Sequence, residues 1–164
     1  ALISFDVNYR PSLWPQPEEA LTVIEAMLPQ ADLVKVNEEE LKLLSGSKDL
    51  SEGSAHILAR GPALCVVTLG ADGSYFSSAL GEGRIPPFSV ETVDAVGCGD
   101  AFMAGTLCRL IRHDDWKKAL APDQMAANLR YANAVGALTA LTYGVIPALP
   151  TAAAVGSFLQ ERTA

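Results

Sequence analysis

Three short stretches of the chain are almost continuously apolar: LISFD near the start, ADLVKV from residue 31 and ALCVVTL from residue 63. Such runs predict strands buried on both faces, because a strand with one wet face alternates apolar and polar residues instead. Between them the period changes. In QPEEALTVIEAML, Leu21, Ile24, Met27 and Leu28 recur at helical spacing behind Pro17 and two acids, the pattern of a helix N-terminus. EEELKLL runs up to Gly46 and SEGSAHILAR up to Gly61, and glycine is the usual residue just past a helix. Strand, helix, strand, helix, strand implies a parallel sheet. After Leu69, GADGSYFSS and GRIPPFSVETV are short, turn-rich, β-branched and aromatic, so a hairpin-like antiparallel excursion at the sheet edge is expected. Three helices are predicted to follow, at about residues 100–112, 123–141 and 151–162, the last opened by Pro150 and a capping Thr151. No internal repeat or low-complexity linker interrupts the chain, and a single α/β domain over residues 1–164 is the expectation.

Composition narrows the class. With 164 residues, 49% hydrophobic and 19% charged, the chain is long and apolar enough to bury one real core. A net charge of −7 without any basic stripe argues against a nucleic-acid partner. ALISFDVNYR lacks a basic flank followed by a long apolar stretch, so it reads as neither a signal nor a transit peptide. Residues 131–160 carry no charge, but Asn133, Gly144, Pro147 and Pro150 break them well before the roughly 20 apolar residues that a membrane span needs. Cys65, Cys98 and Cys108 are odd in number and lack metal-ligand spacing, which suits a reducing, cytoplasmic setting. Cys65 and Cys108 lie in apolar runs and are expected in the core. His56 and His113 read as surface-helix and helix-end residues, and Trp14 and Trp116 as packing or lid contacts.

The candidate chemistry starts at VDAVGCGDAF, residues 93–102, a bare loop ahead of a strongly helical run. A helix's first N–H groups have no internal partner, and the aligned peptide dipoles make that end attractive to an anion. Gly97 and Gly99 would let successive N–H groups converge on one phosphate, and Asp100 sits where the dipole stabilises a carboxylate able to accept a proton. A plain tight turn and a capping acid would look the same.

The stretch Asp94-Ala95-Val96-Gly97-Cys98-Gly99-Asp100 resembles the signature D-[TA]-x-G-[AC]-G-D of the ribokinase-like, or PfkB, family of sugar kinases. The resemblance implies that Gly97, Cys98 and Gly99 form an anion hole for the transferred phosphoryl group and that Asp100 is the general base. FDVNYRP resembles the family's D-x-N-x-R element and so implies substrate contacts for Asn8 and Arg10 at a strand's carboxyl end, although a surface ion pair explains a lone arginine equally well. VNEEE resembles its N-x-x-E element, which implies that Asn37 and Glu40, with Asp94, organise Mg²⁺ and its water shell. Acids in the first turn of a helix are the competing explanation. VTLGADG resembles the nucleotide segment T-x-G-x-x-G, carried by Thr68, Gly70 and Gly73, and Asn133 falls where the family often places an adenine-side Asn, or else faces a neighbouring helix.

The resemblance runs from Phe5 to Pro150 and leans toward fructokinases, with 2-keto-3-deoxygluconate kinases second. It implies a three-layer αβα fold around a mostly parallel sheet, and ATP, Mg²⁺ and a monovalent cation such as K⁺ as cofactors. Members of the family are longer, so the chain corresponds to the nucleotide-side portion, lacking the N-terminal strands and the β lid. An apolar strand left at a sheet edge then calls for a complementing N-terminal segment or a homo-oligomer. The rival reading is a non-catalytic nucleotide-binding or regulatory module. A dinucleotide-binding oxidoreductase fails because no G-x-G-x-x-G follows the first strand.

Overall fold

The computed structural model describes residues 1–162. Where the sequence reading expects one domain, the contacts gather into two compact units, one formed by residues 1–69 and 75–84, the other by residues 70–74 and the chain from Ile85 onward.

The first unit is built on a five-stranded sheet in the order β1 (Ser4–Asp6), β2 (Leu33–Asn37), β3 (Leu64–Thr68), β4 (Ser74–Ser78) and β5 (Gly81–Ile85). The runs LVKVN and LCVVT are buried along their first four residues and pair in parallel from Leu33 opposite Leu64 to Asn37 opposite Thr68. β1 joins β2 in parallel and is shorter than its apolar run, with Asn8 turning the chain away at φ +42°. Three helices return the chain between these strands: α1 (Pro17–Met27), α2 (Glu38–Ser45) and α3 (Leu50–Leu58). Ala20 and Ile24 of α1 pack with Leu28, Val34, Val36, Leu41, Ile57, Cys65 and Val67 in one core. Trp14 packs against that core, in keeping with the packing role expected for it.

The turn-rich stretch after Leu69 supplies β4 and β5 of the same sheet, with β5 at its edge, as the excursion predicts. The second piece stops at Ile85 instead of running on toward Val93. Pro86 and Pro87 cannot donate to a strand ladder, which ends it there.

The second unit carries α4 (Cys98–Leu110), α5 (Pro122–Thr139) and α6 (Ala152–Glu161). Ala101, Ala134, Val135, Val155 and Phe158 form its core, against which Phe88 packs edge-on to Phe158 at 5.1 Å. Thr151 caps α6 through a 3.2 Å bond from Ala154 N–H, as its position predicts. Cys108 corrects an expectation. On α4 the buried residues are Ala101, Phe102, Met103, Gly105, Thr106 and Leu110, so Ala104 and Cys108, four apart, share the exposed face. No helix among the described residues is long and apolar enough to cross a membrane.

Candidate functional site

α4 starts two residues earlier than its sequence suggests, and this decides what the glycine loop can do. Gly97 is the N-cap, left-handed at φ +81°, whereas Gly99 lies inside the first helical turn. Only Gly97 therefore uses the conformational freedom that both glycines were expected to need. The first helical bond runs from Ala101 N–H to the Gly97 carbonyl at 2.9 Å, so the helix itself offers no partner to the N–H groups of Gly99 and Asp100. The N–H of Cys98 instead closes the preceding turn onto the Ala95 carbonyl at 3.3 Å. Asp100 stands in the first turn with its side chain exposed, open to a reacting hydroxyl.

Gly97 is also required sterically, since a Cβ there would lie 2.5 Å from Val145 Cγ1. Gly97→Ala combines a left-handed non-glycine residue with overpacking and is expected to destabilise the fold by about 2–4 kcal/mol. Urea unfolding checks this, and a midpoint equal to wild type would show that the loop relaxes freely.

Asp94 ties the loop together. Its two oxygens accept from Val96 N–H at 3.0 Å and Gly144 N–H at 3.1 Å. These bonds, Val96 first, hold its carboxyl below the ordinary value of 3.8. A depressed carboxyl contributes stability that is fully present above the ordinary value and is lost as pH falls through the depressed one. Unfolding followed between about pH 5 and pH 2 should therefore fall less steeply for Asp94→Asn than for wild type; superimposable profiles would remove Asp94 from the tie. The Cys98 thiol is pushed up by burial and then by the Asp94 charge, so the pull of the helix end does not make it a reactive thiolate. A small residue fitting a tight loop is its role.

In the first unit, Asn37 and Glu40 form a capping box: the Asn37 Oδ1 accepts from Glu40 N–H and a Glu40 oxygen accepts from Asn37 N–H, both at 2.8 Å. The other Glu40 oxygen accepts from Tyr9 N–H at 2.7 Å, and Glu40 is only 3% exposed. Asn8 and Arg10 flank Tyr9 and are exposed. Beside them lies a pair that sequence reasoning missed: the buried Lys35 ammonium contacts both Asp6 oxygens, at 2.8 and 3.0 Å. A lysine inside the apolar run ADLVKV was the available signal, and the parallel register places it opposite Asp6.

Thr68 ends β3 and bonds the Val36 carbonyl at 3.4 Å. Gly70 and Gly73 bracket a 3₁₀ turn, and at Gly73 a Cβ would fall 2.2 Å from the Ile85 carbonyl oxygen, so the close approach of the 85–87 segment demands glycine. Asn133, buried in mid-helix, donates its amide to the Pro86 carbonyl at 3.0 Å, which gives it a structural role. The segment around Gly144 and Val145 that closes on the loop was legible only as a helix break. His56 and His113 join no group of metal-ligating side chains, and among the described residues no three His, Cys, Asp or Glu side chains gather as a metal site.

Comparison with known proteins gives one consistent result. The model of the family described as pfkB family carbohydrate kinase matches residues 1–152. A probable fructokinase-2 of Arabidopsis thaliana is 38% identical over 161 residues, which cover 98% of this chain and 48% of that protein. Among solved structures, a fructokinase from Xylella fastidiosa with bound ATP superposes with a TM-score of 0.91 at 32% identity, over all of this chain and 53% of that one. A double mutant of the Vibrio cholerae O395 fructokinase, in a form holding fructose, ADP and potassium, gives 0.86 at 35% identity over 95% of this chain and 49% of that one. The chain thus spans about half the length of the relatives it matches.

Proposed function

The chain belongs to the pfkB family of carbohydrate kinases, and from that premise we propose that it serves the ATP-dependent phosphorylation of a sugar hydroxyl, with fructose as the acceptor. The observation that supports this most is the start of α4, where Gly97 turns the chain, the helix leaves the Gly99 and Asp100 N–H groups without an internal partner, and Asp100 stays exposed in the same turn. In the proposed reaction Asp100 takes the proton from the acceptor hydroxyl as its oxygen bonds to the γ-phosphorus and the bond to the ADP oxygen breaks. The loop of Gly97, Cys98 and Gly99 receives the transferring group, with the N–H groups of Gly99 and Asp100 offsetting its negative charge.

Thr68, Gly70, Gly73 and Asn133 are assigned to the nucleotide, and Asn8 and Arg10 to the acceptor. Mg²⁺, assigned to the surroundings of Asn37, Glu40 and Asp94, would neutralise charge on the phosphates. The donor set fits it: Mg²⁺ keeps most of its waters and needs only one or two carboxylates, so the lack of a three-ligand cluster is no obstacle. A monovalent cation such as K⁺ enters the proposal through the potassium-bound Vibrio cholerae relative. Cys65, Cys98 and Cys108 are all free thiols, which suits a cytoplasmic setting.

A coupled assay of ADP release with fructose and with 2-keto-3-deoxygluconate tests the reading. Turnover with fructose well above that with the keto acid is expected. Preference for the keto acid would move the acceptor, and MgATP binding without transfer to any sugar would make the protein a nucleotide-binding module.

A further inference from the structure

The Glu40 side chain does more than a helix cap requires. A capping box needs one carboxylate oxygen turned back to the N-cap N–H, and the Asn37 bond supplies it. The second oxygen reaches 31 residues back along the chain to Tyr9 N–H, at the shorter distance of 2.7 Å. A charged group at 3% exposure is tolerable only when fully hydrogen-bonded, and both bonds are of the stronger, charge-assisted kind. An oxygen recruited directly by a metal ion would have to share or leave one of them.

What those bonds hold is the short segment after β1. It is pinned upstream by Val7 N–H on the Lys35 carbonyl at 3.1 Å and by the Lys35 to Asp6 pair, and downstream by Glu40 on Tyr9. Between the two pins stands Asn8, the one non-glycine residue at positive φ among those described, in a conformation that asparagine tolerates and most residues avoid. A left-handed residue persists where its surroundings over-determine it, and here the surroundings are these pins.

We infer that Glu40 is a positioning residue: its buried carboxylate is a strut that fixes the turn at residues 8–10 against the start of α2, and its influence on turnover passes through Asn8 and Arg10. The inference rests on the proposed acceptor role of those two residues. It assigns Glu40 a purpose different from a metal ligand, and the two make opposite predictions.

The test uses the whole active protein. In Glu40→Gln one oxygen becomes an NH₂ group facing a backbone N–H, so one pin is lost while the Asn37 cap bond to residue 40 N–H remains. The acceptor KM should rise about tenfold, with kcat changed by less than about twofold and the Mg²⁺ half-saturation unchanged. Added to Arg10→Ala, the same substitution should raise KM little further, because both act through one turn. Replacing the Tyr9 amide by an ester removes only the donor, leaves the Glu40 charge in place, and should reproduce the KM effect even if Glu40→Gln folds poorly. A several-fold shift in Mg²⁺ half-saturation with unchanged acceptor KM, or fully multiplicative effects with Arg10→Ala, would overturn the strut. Amide hydrogen exchange separates this from the function itself: slow exchange at Tyr9 that becomes fast in Glu40→Gln is expected whether or not the wild type phosphorylates a sugar. Fast exchange at Tyr9 in the wild type would sink the strut alone, and an inactive wild type would sink the kinase reading.

Discussion

Asp100→Asn is expected to lower kcat by about a hundredfold or more while leaving the KM for ATP within about twofold. Asparagine has nearly the same shape and still hydrogen-bonds, but it cannot take a proton from an attacking hydroxyl. The alternative is that Asp100 only complements the helix end, where an exposed first-turn acid contributes about 0.3–1 kcal/mol to stability and nothing to proton transfer. The two roles separate in one experiment. A base gives a large loss in kcat with a small change in melting temperature, whereas a dipole partner gives the small change in melting temperature and wild-type turnover. The exposure of the Asp100 side chain and its place in the same turn as the Gly99 and Asp100 N–H groups favour the first outcome. Wild-type turnover in Asp100→Asn would remove this residue from the chemistry.

The parts of this molecule that were legible in its sequence are those set by local rules. Parallel strands buried on both faces show as LVKVN and LCVVT, α1 shows through Pro17 and its apolar spacing, and Thr151 marks the start of α6. What stayed hidden depends on partners far away in the chain. Lys35 looked anomalous in an apolar run until the register set it opposite Asp6, and Cys108 looked buried until the face of α4 was known. The candidate site divides the same way. The glycine motif announced a turn before a helix, but that Gly97 alone adopts the left-handed conformation follows from where α4 starts. That Glu40 accepts from Tyr9 follows from tertiary packing, which no spacing rule reports.

These 164 residues, prepared by themselves, are expected to bind MgATP weakly, to transfer essentially nothing to fructose and to self-associate. The chain spans about half the length of the relatives it matches, and of the residues assigned here only Asn8, Arg10 and Asp100 face the acceptor. Phosphoryl transfer relies on holding the hydroxyl in line with the γ-phosphate and on shutting out water, which together are worth several kcal/mol. Losing that much corresponds to several decades in rate, at about 1.4 kcal/mol for each tenfold. Association follows from the sheet. β1 lies at its edge, paired among the described residues with β2 alone, and Ile3 beside it is 53% exposed. An open strand edge with an apolar neighbour pairs readily with another chain, either a second copy or a complementing segment. Sedimentation velocity and ATP titration of the isolated chain test both expectations. A mass that rises with concentration, and that returns to the monomer when Ser4 or Asp6 on the edge strand is replaced by proline, would place the association at β1. A monodisperse monomer with full sugar kinase activity would overturn the prediction and would mean that the grip on the acceptor is contained in these residues, beyond Asn8, Arg10 and Asp100.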